Sequence, residues 1–344
     1  MQLKNSRQTV CLGLMPKRYA PRGQYLWDPW FIREGDRFHL FHLQAPKSYG
    51  LSDRHHHTSI GHAVSDDLVR WKQLPTALEP GGESEWDGLA LWTGSVIKKD
   101  DTYYMFYTGR RRREFWVQRI GLATSNDLVH WRKHPANPIL EADRRYYRMT
   151  NALNRLSNPP AWRDPFLFKD EESGSYYMII TARTRGKQRV YNGCLAAARS
   201  DDLLTWEVLP PIFAPGVYDE IETPSLVRFH GDYYLFFSTC SKNYKPTFEH
   251  VYGAHEGLHC YYASELFGEY RPINGFGVVF SNGKRMYDIQ LIRHDDRFWG
   301  LGSLYLDRKG EFLGRLSLPF EIVLDGKVIY TTMGMEKSSV AARA

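Results

Sequence analysis

Three acidic residues in this 344-residue sequence stand in matching local settings. Trp27-Asp28-Pro29, Trp162-Arg163-Asp164-Pro165 and Glu222-Thr223-Pro224 each place a carboxylate one or two positions before a proline that opens an aromatic-rich run. A lone Asp-Pro pair starts a turn, because Asp bonds nearby backbone and Pro presets φ. Three at equivalent positions of a repeat point further. Carboxylates gathered in one pocket raise one another's pKa, so stability alone disfavours the cluster. Glycosidic bond cleavage needs it: one carboxyl stays protonated as acid while another is ionised across the scissile bond. Arg163, beside Asp164, would offset part of the repulsion. Glu220 is a rival to Glu222 as the acid, and Asp87 is a candidate for the pocket rim.

The elements that must position these groups form a repeat. Ser-x-Asp-Leu-x-x-Trp occurs at Ser65–Trp71, Ser125–Trp131 and Ser200–Trp206, with a degenerate copy at Ser264–Tyr270. Ser and Asp side chains bond nearby backbone N–H groups and fix a turn, after which the aromatic ring packs back as the next strand begins. Between these turns lie five hairpins: DPWFIREGDRFHLFHL, GSVIKKDDTYYMFYTG, DPFLFKDEESGSYYMIITA, PSLVRFHGDYYLFFST and IQLIRHDDRFWGLGSL. Polar turns flanked by β-branched and aromatic residues mark each one. Radial repetition of four-stranded sheets predicts an all-β, five-bladed β-propeller. We expect a single domain over 1–344 with blades at roughly 25–75, 88–135, 160–210, 220–272 and 284–335. A β-sandwich would explain strands but not five matched hairpins. Innermost strands surround one axis, so equivalent acids would meet in one central funnel. Two long loops, 141–160 and 242–258, stand out from the repeat.

Composition narrows the function. Rings make up 15% of the chain, from 10 Trp, 22 Tyr and 18 Phe, which suits both strands and a sugar face. The formal charge of +6 is mild for this length, and the run Arg110–Arg113 reads as a solvated loop. No nucleic-acid motif accompanies it, so no nucleic-acid partner is expected. His55-His56-His57 has no carboxylate or Cys at ligand spacing, and reads as a loop bordering the funnel. No metal and no cofactor are expected. His62 reads as structural. Cys11, Cys194, Cys240 and Cys260 form no CxxC pair, and Cys194 and Cys240 read as buried free thiols. The first 18 residues lack a long apolar core, and no run of about 18 apolar residues exists, so the reading is cytoplasmic, with no membrane association. A chain whose leader had been removed would read the same. The sequence leaves the oligomeric state open.

With these motifs in hand, the sequence resembles glycoside hydrolase family 32, the invertases and fructanases, among the five-bladed propeller glycosidases. Residues 59–97, SIGHAVSDDLVRWKQLPTALEPGGESEWDGLALWTGSVI, carry that family's Gly-His-Ala, Asp-Leu-Val-x-Trp, Leu-Pro-x-Ala-Leu-x-Pro and aromatic-Ser-Gly-Ser run in order. Trp162–Pro165 and Glu222–Pro224 resemble its Arg-Asp-Pro and Glu-Cys-Pro motifs, and HLFHLQAPKS resembles its strand ending in a sugar-site Gln. The likeness implies that Asp28 is the nucleophile, Glu222 the acid/base and Asp164 the stabiliser of the transition state. It further implies that Trp27, Gln44, Trp92, Thr93 and Arg163 bind the sugar. The small carbohydrate would be a β-fructofuranoside, cleaved with retention. The Trp-Asp opening, where family 32 has Asn-Asp, is closer to the related levansucrase family. About 40 residues follow the fifth hairpin, too few for that family's C-terminal β-sandwich, so none is expected. Three alternatives remain open: an inverting furanosidase or xylosidase of the family 43 type, a fructosyltransferase, and a non-catalytic sugar-binding propeller.

Overall fold

A computed structural model describes residues 17–332 except 115, 150–158, 187, 189 and 284. Its five antiparallel sheets follow one another along the chain. The first holds β1 (Gln24–Glu34), β2 (Arg37–Pro46), β3 (Ser59–Ser65) and β4 (Lys72–Gln73). The second holds β5 (Ala90–Lys99), β6 (Thr102–Arg110), β7 (Gln118–Ser125) and β8 (Arg132–Lys133). The third holds β9 (Trp162–Lys169), β10 (Tyr176–Arg183), β11 (Gly193–Ser200) and β12 (Glu207–Phe213). The fourth holds β13 (Glu222–Phe229), β14 (Asp232–Thr239), β15 (Gly257–Ala263), β16 (Arg271–Pro272) and β17 (Val278–Ser281), the last pairing with β15. The fifth holds β18 (Met286–His294), β19 (Arg297–Leu306), β20 (Phe312–Leu316), β21 (Phe320–Asp325) and β22 (Val328–Thr331).

The first strands close a circle: β1 touches β5, β5 touches β9, β9 touches β13, β13 touches β18, and β18 returns to β1. This is the expected five-bladed β-propeller. Its core is correspondingly divided into wedges between neighbouring blades. Phe106, Ile120, Met178 and Ile180 pack between the second and third sheets, and Leu26, Phe38, Ile292 and Leu301 pack between the fifth and first. Each such side chain contributes roughly 1.5–3 kcal/mol by leaving water.

The Ser-Asp turns link the third and fourth strands of the first three blades. In the first, Asp67 Oδ1 accepts from Ser65 Oγ at 3.0 Å and from the N–H groups of Val69 and Arg70 at 3.0 and 2.7 Å. Trp71 Nε1 then donates to Leu68 O at 3.0 Å. The turn drives the leucine to positive φ, 61° at Leu68, 65° at Leu128 and 70° at Leu203, while its side chain is buried. The degenerate copy keeps one element of this: Tyr270 OH donates to Leu266 O at 2.9 Å.

The loop at 242–258 carries a short helix, Pro246–Tyr252, with Pro at its start, where the missing N–H costs no hydrogen bond. Much of the loop at 141–160 lies outside the described residues, as does Cys11. Cys194 and Cys260 are free and buried, whereas Cys240 is only partly buried. No helix among the described residues is long and apolar enough to cross a membrane.

Candidate active site

Each innermost strand breaks its pairing register at one place. The breaks fall after Trp27, after Trp92, opposite Ile179–Thr181 in β9, after Glu222 and after Tyr287. The displaced residues are Asp28, Thr93, Asp164, Thr223 and Asp288. Four of these five have positive φ: 45° at Asp28, 56° at Asp164, 47° at Thr223 and 52° at Asp288. A β-bulge bends the strand and re-aims a side chain, and here it turns one residue per blade toward the axis. Pro29, Pro165 and Pro224 suit such breaks because proline has no N–H for the ladder. Thr223, not Glu222, therefore occupies the position equivalent to Asp28 and Asp164. Glu222 sits one step earlier, in the place of Trp27, Trp92, Arg163 and Tyr287.

The carboxylates nevertheless meet. Asp28, Asp164 and Glu222 line one central cavity of about 300 Å³, together with Thr93, Arg163 and Trp92. Thr93 Oγ1 donates to Asp28 Oδ2 at 2.6 Å, and the Asp28 N–H donates to Ser303 Oγ at 2.9 Å. Asp164 Oδ2 accepts from Thr181 Oγ1 at 3.1 Å and from the Thr223 N–H at 3.2 Å. Glu222 Oε2 accepts from Tyr287 OH at 2.7 Å. Arg163 Nη2 donates to Glu222 Oε1 at 2.8 Å and to Glu220 Oε1 at 2.6 Å.

These contacts separate the acids electrostatically. Burial, then the neighbouring Glu220 charge, push Glu222 up to about 7. Burial alone would also raise Glu220, but the guanidiniums of Arg163 and Arg183 outweigh it and hold that carboxyl below its ordinary value. Burial raises Asp164 to about 6 despite Arg163. Two titratable groups driven apart in this way mark an acid and a permanent anion. The two rivals thus differ: Glu222 is the carboxyl held high, and Glu220 is the one that pairs with Arg163 at 2.6 Å.

Several expectations are corrected. Gln44 does not face the cavity: its Nε2 donates to Ser59 Oγ at 3.3 Å and Thr76 Oγ1 at 3.1 Å, and it lines an adjoining groove. Trp27 is buried outside the cavity lining, edge-on to His55 with ring centroids 5.4 Å apart. Asp87 is buried away from the cavity, accepting from Lys133 Nζ at 2.6 Å and Tyr107 OH at 3.0 Å. His62 packs on Phe41 and bonds His39, as a structural residue would.

Other lining residues went unseen. Arg110 belongs to no solvated loop; it ends β6 buried, with its guanidinium 4.1 Å from the centre of the Trp92 ring. Burial, with Arg163 nearby, lowers it to about 10. His55 O accepts from Trp92 Nε1 at 3.0 Å and from Arg110 Nη1 at 3.2 Å, so the histidine run holds the cavity wall together. Burial and the Arg54 and Arg110 charges push the His55 ring down to about 3, so it is neutral. Tyr287, Asp288 and Tyr305 bring the fifth blade into the cavity.

Comparison with known proteins bears on this geometry. Residues 19–270 match the family described as Glycosyl hydrolases family 32 N-terminal domain. The extracellular sucrase of Zymomonas mobilis is 26% identical over 298 residues, covering 74% of this chain and 70% of that enzyme. Levansucrase LscA of Pseudomonas savastanoi pv. glycinea is 31% identical over 250 residues, 65% of this chain but 54% of that enzyme. The inulosucrase from Halalkalicoccus jeotgali bound to kestose superposes with a TM-score of 0.76 at 26% identity, covering 92% of this chain and 90% of that one. The cytoplasmic reading of the N-terminus is overturned by the two Zymomonas relatives, both extracellular sucrases. The matched residues span four of the five blades and three of the carboxylate-bearing inner strands, and the chain belongs to glycoside hydrolase family 32, within the five-bladed propeller glycosidases, and is a glycoside hydrolase.

Proposed function

We propose that the protein hydrolyses β-fructofuranosides, sucrose or short fructo-oligosaccharides, by double displacement. Asp28 attacks the anomeric carbon while Glu222 protonates the departing oxygen. In the second step Glu222 takes a proton from water, the water attacks the same carbon, and Asp28 leaves as a carboxylate. Asp164 holds the sugar hydroxyls and stabilises the oxocarbenium-like transition state. Arg163 keeps Glu222 in place, and Trp92, braced by His55 and Arg110, offers its ring to the sugar. The observation that carries this reading is Glu222, raised to about 7 in the same cavity as Asp28 and so able to give and take a proton near neutrality. The sugar follows from the relatives, which are sucrases and levansucrases.

The test is turnover of sucrose, inulin, levan and aryl furanosides, with Asp28→Asn and Glu222→Gln as controls. Asp28→Asn is expected to lose about 10⁴-fold or more in kcat, as the removal of a nucleophile does. Wild-type rates in both variants would overturn the assignment, and inversion at the anomeric carbon would favour the family 43 mechanism. Full sugar binding without any turnover would leave a sugar-binding propeller. One observation favours a second reading, transfer of the fructosyl group to another sugar: the likeness to an inulosucrase solved with kestose. Longer oligosaccharides formed at high sucrose would decide for it.

A further inference from the structure

Asp288 stands at the fifth bulge, 2% exposed, and lines the cavity with Asp28. Its carboxyl lies within hydrogen-bonding reach of that of Asp28. Two ionised carboxylates so close would repel with no proton between them, so the pair is stable only if one of them is protonated. The surroundings say which. Asp28 is partly open to the cavity and receives the 2.6 Å bond from Thr93 Oγ1. Asp288 is buried, receives only a 3.4 Å bond from Thr223 Oγ1, and no N–H or O–H among the described residues reaches its Oδ2. Charge is better solvated on Asp28, and the proton belongs on Asp288.

We propose that Asp288 is a neutral carboxylic acid that donates a hydrogen bond to Asp28 and so positions and steadies the nucleophile. This rests on the reading of Asp28 as nucleophile. The titratable groups facing Asp288 are Asp28 on β1, Asp164 on β9, Glu222 on β13, its neighbour Tyr287, and Tyr305 on β19. All are anionic or neutral, while Arg163 is held by Glu220 and Glu222 and Arg54 lies over the Trp27 and Phe312 rings. Burial, and next the Asp28 charge, accordingly raise Asp288 well above the ordinary carboxylate range. A carboxyl kept neutral by an apolar, anionic setting is an efficient donor. The proton stays on Asp288 throughout. It favours one rotamer of Asp28 for attack, and in the second step it stabilises the carboxylate that leaves the sugar.

The experiment compares wild type, Asp288→Asn, Asp288→Ala and Asp28→Asn. The infrared spectrum of the resting enzyme at neutral pH is expected to contain a protonated-carboxyl C=O band that Asp288→Asn removes. Asp288→Ala, which leaves Asp28 without that donor, is expected to move the acid limb of kcat/KM up by about 1–2 pH units. Asp288→Asn, whose amide still donates, moves it less than half as far. An unchanged infrared band in folded Asp288→Asn overturns the proposal, and so does an unmoved acid limb in folded Asp288→Ala. Should Asp288→Ala fail to fold, the infrared comparison with the isosteric Asn variant still decides. Turnover retained by Asp28→Asn would instead remove the nucleophile assignment while leaving the shared proton standing.

Discussion

Replacing Glu220 with Gln isolates the charge that keeps Glu222 protonated. Arg163 Nη2 bonds both acids, at 2.6 Å to Glu220 and 2.8 Å to Glu222, so their oxygens are no farther apart than the two bonds end to end, about 5.4 Å. Two unit negative charges at that distance repel by about 3 kcal/mol at an effective dielectric of about 20. That energy corresponds to about 2 pH units in the neighbour's pKa. The sign is fixed: with the Glu220 charge gone, ionised Glu222 is no longer repelled and gives up its proton at lower pH. The released attraction of Arg163 and Arg183 acts in the same direction. With Glu222 as the acid, the basic limb of kcat/KM is expected near pH 7 in the wild type and should fall to about pH 5 in the variant. A pH series of initial rates on an activated furanoside measures it. Any change in KM is read separately, because the plateau height and the limb position are independent readouts. A basic limb that stays in place would show that Glu220 is not the anion beside the acid, or that Glu222 is not the acid.

Three further outcomes follow from single contacts. Thr93→Val removes the 2.6 Å bond to Asp28 Oδ2 and should lower kcat/KM by about 10- to 100-fold, the worth of a hydrogen bond to a charged group, without lowering the melting temperature. Asp67→Ala strips the first Ser-Asp turn of its acceptor for Ser65, Val69 and Arg70 and should cost about 1–2 kcal/mol in denaturant unfolding while kcat/KM holds. Glu222 is raised in the folded state, so its contribution to stability is present below the unfolded pKa and is lost as pH rises through about 7. The side chain is 24% exposed, and the cost by pH 8 is up to about 3 kcal/mol. Glu222→Gln should thus be the more stable protein at pH 8, with the gap closing by pH 4, and an equal gap at both would contradict the shift.

What could be seen in the sequence was what is local. Ser, Asp and Trp at fixed offsets make one turn out of their own side chains, so three copies announce three blades whatever surrounds them. Asp28 and Asp164 showed because a proline follows each and fits the bulge. Asp288 sits in the same bulge but is followed by Ile289, and the hairpin reading began one residue too late to include it. Arg110 and His55 were hidden for another reason: their roles come from a backbone carbonyl and a ring meeting across two blades, and no spacing along the chain encodes that. Gln44 was placed by likeness, and the two hydroxyls of Ser59 and Thr76 turn it elsewhere.

The bulges explain why the acids sit where they do and why they stay there. Positive φ on a residue other than glycine costs about 1–3 kcal/mol, and Thr223, being β-branched, is among the least suited to it. Such strain persists only where the surroundings over-determine it, and here side chains of other blades do so. Ser303 of the fifth blade accepts from the Asp28 N–H, Gln290 Nε2 donates to Thr223 O at 3.2 Å, and Asp164 itself accepts from the Thr223 N–H. Thr108 Oγ1 fixes two bulges at once, donating to Thr93 O and accepting from the Asp164 N–H, each at 3.0 Å. In blade two a side chain at Gly94 would collide with Phe106 O, its Cβ coming within 2.3 Å, so the strand there can bend only because the residue is glycine. Blades two, three and five thus each hold a neighbour's bent residue, and closing the circle helps to fix the carboxylates. Catalytic groups held in this way need no rearrangement when charge develops on the sugar, the condition under which fixed dipoles and charges lower a barrier most.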